Sequence, residues 1–156
     1  MIEVCISRDK LLPGAIDVRL AGPVEVGARV VFSGQARAEQ GDVDALEVEH
    51  FPGMAEMAIT AICERAVQRW PLHHIIVLHR VGMVPAGEDL VQVGVSAPHR
   101  REAFLACTYI MDFLKSEAPL WKKQHGRGES RWVEAKLSDA EAVADWSYGA
   151  PPEHER

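Results

Sequence analysis

Apolar residues recur along this chain at two different periods, and each change of period marks an element. Ile2–Ser7 predicts a first strand. Residues 14–26 fit either a short helix or a loop broken by Pro23. Val30–Gln35 and Ala45–His50 predict strands flanking a polar loop, Arg37 to Asp44, that carries Gly41. From Pro52-Gly53 the period changes. The rows 54/58/62/66/70 and 55/59/63/67 are almost wholly apolar, whereas 56/60/64/68 are polar. That stripe predicts a helix lying on a sheet to about Trp70, where Pro71 ends it. Ile75–Val81 and Leu90–Ser96 are β-branched runs joined through Pro85-Ala86-Gly87-Glu88, which predicts an antiparallel pair. A second helix is expected from about Ser96–Pro98 to Glu117, with Ala103, Cys107, Ile110, Met111 and Leu114 inward. Pro119–Lys123 and Arg131–Lys136 predict a hairpin around Gly126-Arg127-Gly128, and Ala140–Trp146 a short last helix. Residues 147–156 are expected to be a flexible tail, leaving 1–146 as one domain. The sum is an α+β fold, two main helices on a largely antiparallel sheet.

Composition narrows the class. At 156 residues, 47% hydrophobic and 26% charged, the chain has the size and make-up of one globular domain, which excludes collagen-like, mucin-like and wholly disordered readings. It holds no run of about 18 apolar residues, and Glu3, Arg8, Asp9 and Lys10 interrupt its N-terminus. A cytoplasmic protein without a membrane segment is therefore expected. Cys5, Cys63 and Cys107 are scattered and form no C-x-x-C, which excludes a disulfide framework and a zinc ribbon. The net charge of -6 argues against a nucleic-acid coat. Yet Pro98–Leu137 carries eight Lys and Arg against five Asp and Glu, net +3, so the rest is -9. A basic island in an acidic chain points to a localised anionic ligand.

Three constellations could carry chemistry. His73, His74 and His79 fall on a predicted strand; at roughly 3.3 Å per residue, His73 and His79 stand about 20 Å apart, too far to chelate one ion. They read as surface or edge histidines, with no metal motif. Cys63 and Cys107 occupy apolar helix rows and read as small buried hydrophobes. Ser96-Ala97-Pro98-His99-Arg100-Arg101 lies where a strand ends and a helix begins, a place suited to an anion. Arginines in a first helical turn oppose the macrodipole by roughly 0.3–1 kcal/mol each, a cost a bound anion would reverse. A solvated first turn, partly compensated by Glu102, explains the same residues. Lys115, near the end of that helix and followed by Lys122 and Lys123, is either a dipole-complementing lysine or one whose pKa a neighbouring cation or partial burial lowers for acid–base or nucleophilic work. His99 and Lys115 are separated by 16 residues, about 24 Å of helix. Serving one small ligand, they would come from different subunits, which predicts a homodimer with shared pockets.

Several runs, in order, resemble the MoaE family, the large subunits of molybdopterin synthases. They are Leu46–Met54 (LEVEHFPGM), Arg69–Leu72 (RWPL), His79–Gly82 (HRVG), and Val93–Ser96 through His99-Arg100. They continue with Ala103-Phe104, Met111–Lys115 (MDFLK), Ala118–Lys122 (APLWK) and Arg131–Ala135 (RWVEA). Together they span roughly residues 28–146. The resemblance implies an α/β hammerhead with an added antiparallel subdomain. It also implies a sulfurtransferase that builds the dithiolene of molybdopterin from cyclic pyranopterin monophosphate, with no cofactor of its own. Sulfur arrives as the C-terminal Gly-Gly thiocarboxylate of a small ubiquitin-like subunit. The assembly is a heterotetramer around a dimer of large subunits.

Carried over by position, Lys115 is the central catalytic lysine and Lys122 a second one. Arg37 is a substrate-holding loop arginine, and His99 with Arg100 an anion-binding pair supplied by the neighbouring large subunit. Lys123, Arg131 and Lys136 complete the expected substrate-binding rim. The chain departs from the family at Lys136, where an arginine often stands, at Gln124, where an acidic residue does, and in a slightly shortened loop after Arg37. Two rival readings are a non-catalytic homodimeric module that docks a ubiquitin-like tail and an anion, and a phosphoester hydrolase or generic nucleotide-binding enzyme using His99. The second lacks a Gly-rich phosphate loop, a metal set and a Ser/His/Asp order.

Overall fold

The structure is a computed structural model that describes residues 1–38 and 43–148. Its elements are β1 (Ile2–Ser7), α1 (Ala15–Arg19), β2 (Ala28–Gln35), β3 (Ala45–His50), α2 (Met54–Arg69), β4 (His74–Arg80), β5 (Gly82–Pro85), β6 (Asp89–Ala97), α3 (Arg100–Glu117), β7 (Leu120–Gly126), β8 (Glu129–Trp132) and α4 (Leu137–Tyr148). Residues 39–42, which hold the shortened loop, and 149–156, which hold most of the predicted tail, lie outside the described residues.

The first sheet runs β1-β4-β6-β2, parallel between β1 and β4 and antiparallel elsewhere. Alternation along β4 splits its side chains between two cores. Ile75 and Val77 join Ile59, Ile62 and Ala66 of α2 and Ala106 and Ile110 of α3. Ile76 and Leu78 turn to Ile16 and Leu20 of α1. Both faces of the sheet are thus covered, and every residue of β6 is buried. Two-sided burial is why these strands read as unbroken apolar runs.

β4 and β6 form the predicted antiparallel pair, with Ile75 opposite Val95. Their connection is more than the expected turn, because Gly82–Pro85 leaves the first sheet as β5 and pairs with β3. Gly82 makes the change of direction at φ 79°, and a Cβ there would meet the Arg8 guanidinium. The antiparallel subdomain that the resemblance implies is thus a second sheet beside the first. The second, β5-β3-β7-β8, is wholly antiparallel and packs Leu46, Val48, Val81, Val84 and Leu90 beneath it. Its β7–β8 hairpin turns on Arg127 and Gly128, both at positive φ, the twist-matched two-residue connection. The second hairpin strand is Glu129–Trp132, earlier than the predicted Arg131–Lys136. Pairing still reaches one residue further, since the Val133 amide donates to the Lys122 carbonyl at 2.8 Å.

The last helix outruns its predicted bounds, so Ser147 and Tyr148 belong to α4 and not to a tail. Trp146 fastens it to α3. The indole meets Trp70 and Tyr109 edge-on, with centroids 5.8 and 5.3 Å away, and Nε1–H donates to Asp112 Oδ2 at 2.8 Å. Trp146→Ala is expected to destabilise the protein by about 2–4 kcal/mol, near the lower end for large aromatic truncations because the indole is half-buried. Thermal unfolding checks this, and a Tm within about 2 °C of the parent's would contradict it.

Candidate functional site

Two lysines seven residues apart in sequence are brought back together by one chain reversal. α3 ends because Ala118, preceding Pro119, is extended (φ −70°, ψ 130°), the conformation a following proline favours. The chain then returns as β7. Lys115 stays in the last helical turn with its side chain half exposed, its Nζ 3.8 Å from Asp139 Oδ1 of α4. Lys122 pairs with Val48 and Gln124 with Leu46, so alternation sets Lys122 on the inner face beside two buried apolar residues. Its ammonium is consequently pushed below the ordinary lysine range, first by desolvation and then by the charge of Lys115, with Asp139 opposing. A lowered pKa beside a second cation, one of the two readings the sequence offers for Lys115, is found at Lys122. The pair offers one solvent-facing cation and one lysine that gives up its proton more easily.

The other predicted residues are divided by the fold. Arg131 lies opposite Gln124 and donates to its Oε1 at 3.4 Å, on the Lys122 side of the sheet. Lys123 is on the opposite side, its ammonium 5.2 Å from the Trp132 ring centroid. Lys136 is exposed ahead of α4, where its carbonyl accepts from the Asp139 amide at 3.0 Å. Arg37 is exposed past the end of β2, on an open hollow of about 520 Å³ shared with Gln35, Ala36, Ala38, Ala86 and Gly87. A second hollow, of about 420 Å³ between α1 and β2, contains none of the predicted site residues.

His99 and Arg100 are exposed at the far end of α3, where His99 is the extended residue ahead of the first turn and its side chain makes no capping hydrogen bond. Gly27 packs so closely here that a Cβ would run into the Pro98 carbonyl oxygen. The helix thus holds this pair and the lysines at opposite ends of its 18 residues, about 27 Å.

The structure corrects the reading of one histidine, while His73 and His74 stay partly exposed. His79 is 1% exposed, a core residue and not a surface one. Nδ1 lies 2.9 Å from the Arg80 carbonyl, and burial drops its pKa to about 4 against the opposing effect of that hydrogen bond, with smaller contributions from the charges of Lys122 and His50. It shares the face of Ile75 and Val77, a spacing that could have revealed its burial. Asp139 was not singled out either, because nothing in local pattern joins α4 to the end of α3. Cys63 and Cys107 are buried as expected, and burial pushes their thiols up to about 12 and about 11. Both are inert at neutral pH. Among the described residues no group of three or more His, Cys, Asp or Glu is placed to hold a metal ion, and no helix is long and apolar enough to cross a membrane.

Known proteins share both this sequence and this geometry. A molybdopterin synthase catalytic subunit from Mesorhizobium japonicum is 50% identical over 127 residues, 80% of each chain. One from Caulobacter vibrioides is 48% identical over 130 residues, 83% of this chain and 87% of its own. The solved MoaE protein of molybdopterin biosynthesis from Burkholderia ambifaria superposes with a TM-score of 0.81 at 38% identity, covering 94% of this chain and 99% of that one. With the sequence model described as "MoaE protein" matching residues 6–117, the stretch that holds both main helices and β2, β4 and β6, the chain belongs to the MoaE family.

Proposed function

We propose that this chain is the large, catalytic subunit of a molybdopterin synthase, working in the cytoplasm. It moves sulfur from the C-terminal thiocarboxylate of a small ubiquitin-like subunit onto cyclic pyranopterin monophosphate and so builds the dithiolene of molybdopterin. Relatives about half identical to it are named as catalytic subunits of that synthase, a name that itself calls for a second subunit. The observation that carries the reading is the convergence of Lys115 and Lys122, one charged at the surface and one set up to lose its proton. Thiolation followed by hydrolytic release of the carrier needs proton transfer and stabilised anions, which such a pair supplies. Because sulfur arrives on the partner, the chain needs no reactive thiol; Cys63 and Cys107 are buried, and the exposed Cys5 is given no role.

Lys115 is assigned acid–base work or transient engagement of the incoming acyl group, and Lys122 the second proton-handling role. Arg37, Arg131 and Lys136 line the substrate's approach; Lys123, turned to the other face, acts through its field. His99 and Arg100 of a second copy hold the phosphate. Three features favour that shared arrangement. The length of α3 keeps His99 away from the lysines of its own chain, and Phe104, one turn beyond Arg100, is 61% exposed. β2 is moreover an edge strand with Phe32 40% exposed, apolar surface that a homodimer would cover.

The test is molybdopterin formation from cyclic pyranopterin monophosphate and a thiocarboxylated small subunit. Product is expected with the thiocarboxylate and none with the plain carboxylate. Binding of the partner without product would favour the docking module instead. Mixing Lys115→Ala chains with His99→Ala/Arg100→Ala chains is expected to recover about a quarter to a half of parental activity, since mixed dimers contain one intact site. Recovery below a tenth, with mixed dimers verified, would show that the site is not shared.

A further inference from the structure

We infer that Asp139, carried in the first turn of α4, is a positioning residue for Lys115: its carboxylate restrains an ammonium that would otherwise swing freely in solvent. Its importance to turnover rests on the role proposed above for Lys115, whereas the restraint itself does not. α4 lies antiparallel along the last turns of α3. One face of α3 presents Asp112, Lys115 and Ser116 at i, i+3 and i+4, and each of them meets α4. Asp112 accepts from the Trp146 indole at 2.8 Å, and the Ser116 hydroxyl donates to the Asp139 carbonyl oxygen at 3.2 Å. The Asp139 amide in turn donates to the Lys136 carbonyl at 3.0 Å. With its backbone held on both sides, a short side chain brings the Asp139 carboxylate, only a quarter exposed, to 3.8 Å from Lys115 Nζ.

The acids of α3 itself are engaged elsewhere. Asp112, one turn back, is taken by Trp146, and Glu117 by Arg65 at 2.6 Å. Lys115 has reason to need a restraint. Its side chain is half exposed, and a long lysine chain has much rotamer freedom to lose. It also stands near a second cation, Lys122, whose stem is fixed in the sheet, so repulsion drives the freer Lys115 outward. Asp139 opposes the effect of Lys115 on Lys122, as a carboxylate beside the pair should. An exposed ion pair shifts side-chain populations by only a few-fold. Turnover, however, scales with the fraction of Lys115 held within reach of the reacting atoms. A carboxylate on an already fixed backbone supplies that bias at little entropic cost.

The experiment measures NMR relaxation in the full chain with carbon-13 confined to lysine Cε, the outward Lys123 serving as internal control. Asp139→Asn keeps the size of the side chain and both backbone hydrogen bonds but removes the charge. It is expected to lower the Lys115 order parameter by at least about a third and to leave Lys123, held against the Trp132 ring, unmoved. An unchanged Lys115 in the folded variant overturns the inference, as does an equal loss at Lys123, which would mean general loosening. Should the variant not fold, salt decides in the parent: at 1 M the screening length is about 3 Å, so Lys115 should gain motion, and a Lys115 that stays ordered overturns the inference. With the thiocarboxylated partner and cyclic pyranopterin monophosphate, Asp139→Asn is expected to lower kcat about three- to tenfold. KM for the pterin should not rise, because both lysines remain and one negative charge has gone. A raised KM with kcat retained would overturn the positioning role. The relaxation readout needs neither partner nor substrate, so a parent inactive as a synthase would sink the proposed function and leave the restraint on Lys115 standing.

Discussion

Lys115→Ala is expected to lower molybdopterin formation by at least about a hundredfold, some 2.7 kcal/mol of barrier, while the protein stays folded. The lysine's side chain is half exposed and its recorded ionic partner is Asp139 at 3.8 Å, too loose a pair to matter much for stability. Its favourable position at a helix C-terminus is worth about 0.3–1 kcal/mol. A large loss of turnover with little loss of Tm would therefore place its contribution in the reaction. Lys115→Arg separates two roles. Arginine keeps the charge but neither gives up a proton nor forms an acyl adduct readily. Activity restored by arginine would mean that charge alone is needed; activity still absent would point to proton transfer or covalent engagement. Turnover of Lys115→Ala within about threefold of the parent would remove Lys115 from the catalytic role.

Lys122→Met is expected to cost at least about a hundredfold in kcat/KM and yet leave Tm at or above the parent's value. Burial and the Lys115 charge lower the pKa of Lys122 in the folded state. In the window between that lowered pKa and the ordinary lysine range, the unfolded chain binds more protons, so stability rises with pH. Below the window the folded protein bears the full cost of holding an ammonium in a poorly solvated place. Methionine keeps the apolar stem against Val48 and Leu46 and removes that cost. Thermal unfolding at neutral pH and at high pH checks the sign, since the advantage of the variant should shrink as pH rises. A variant that is both inactive and clearly less stable would mean that Lys122 serves the fold and not the reaction. Conflict between stability and activity is expected where a group is held out of its preferred state for chemistry.

Much of this was legible in residue order. The two helices follow from i, i+4 apolar rows, and of the inward residues predicted for α3 only Met111 falls short, being half-buried. The paired runs at 75–81 and 90–96 were visible as β-branched stretches. The second sheet was less legible because β5 is four residues long, too short for periodicity to show. The altered bounds of β8 and α4 have a similar cause: exposed strands and helix ends carry little apolar pattern, and pairing with Lys122 or packing against Tyr109 sets them instead.

Residue order alone carries the α+β class, the two long helices, the basic island, the MoaE resemblance and the identity of the lysines. These depend on local periodicity and on ordered motifs, which survive without coordinates. Tertiary packing alone sets which lysine is desolvated, turns Lys123 away from Lys122, brings Asp139 to Lys115 from another helix and buries His79. Burial and charge proximity arise between elements distant in the chain. A lysine's solvation is set by whatever packs over it, and no spacing along β7 records that.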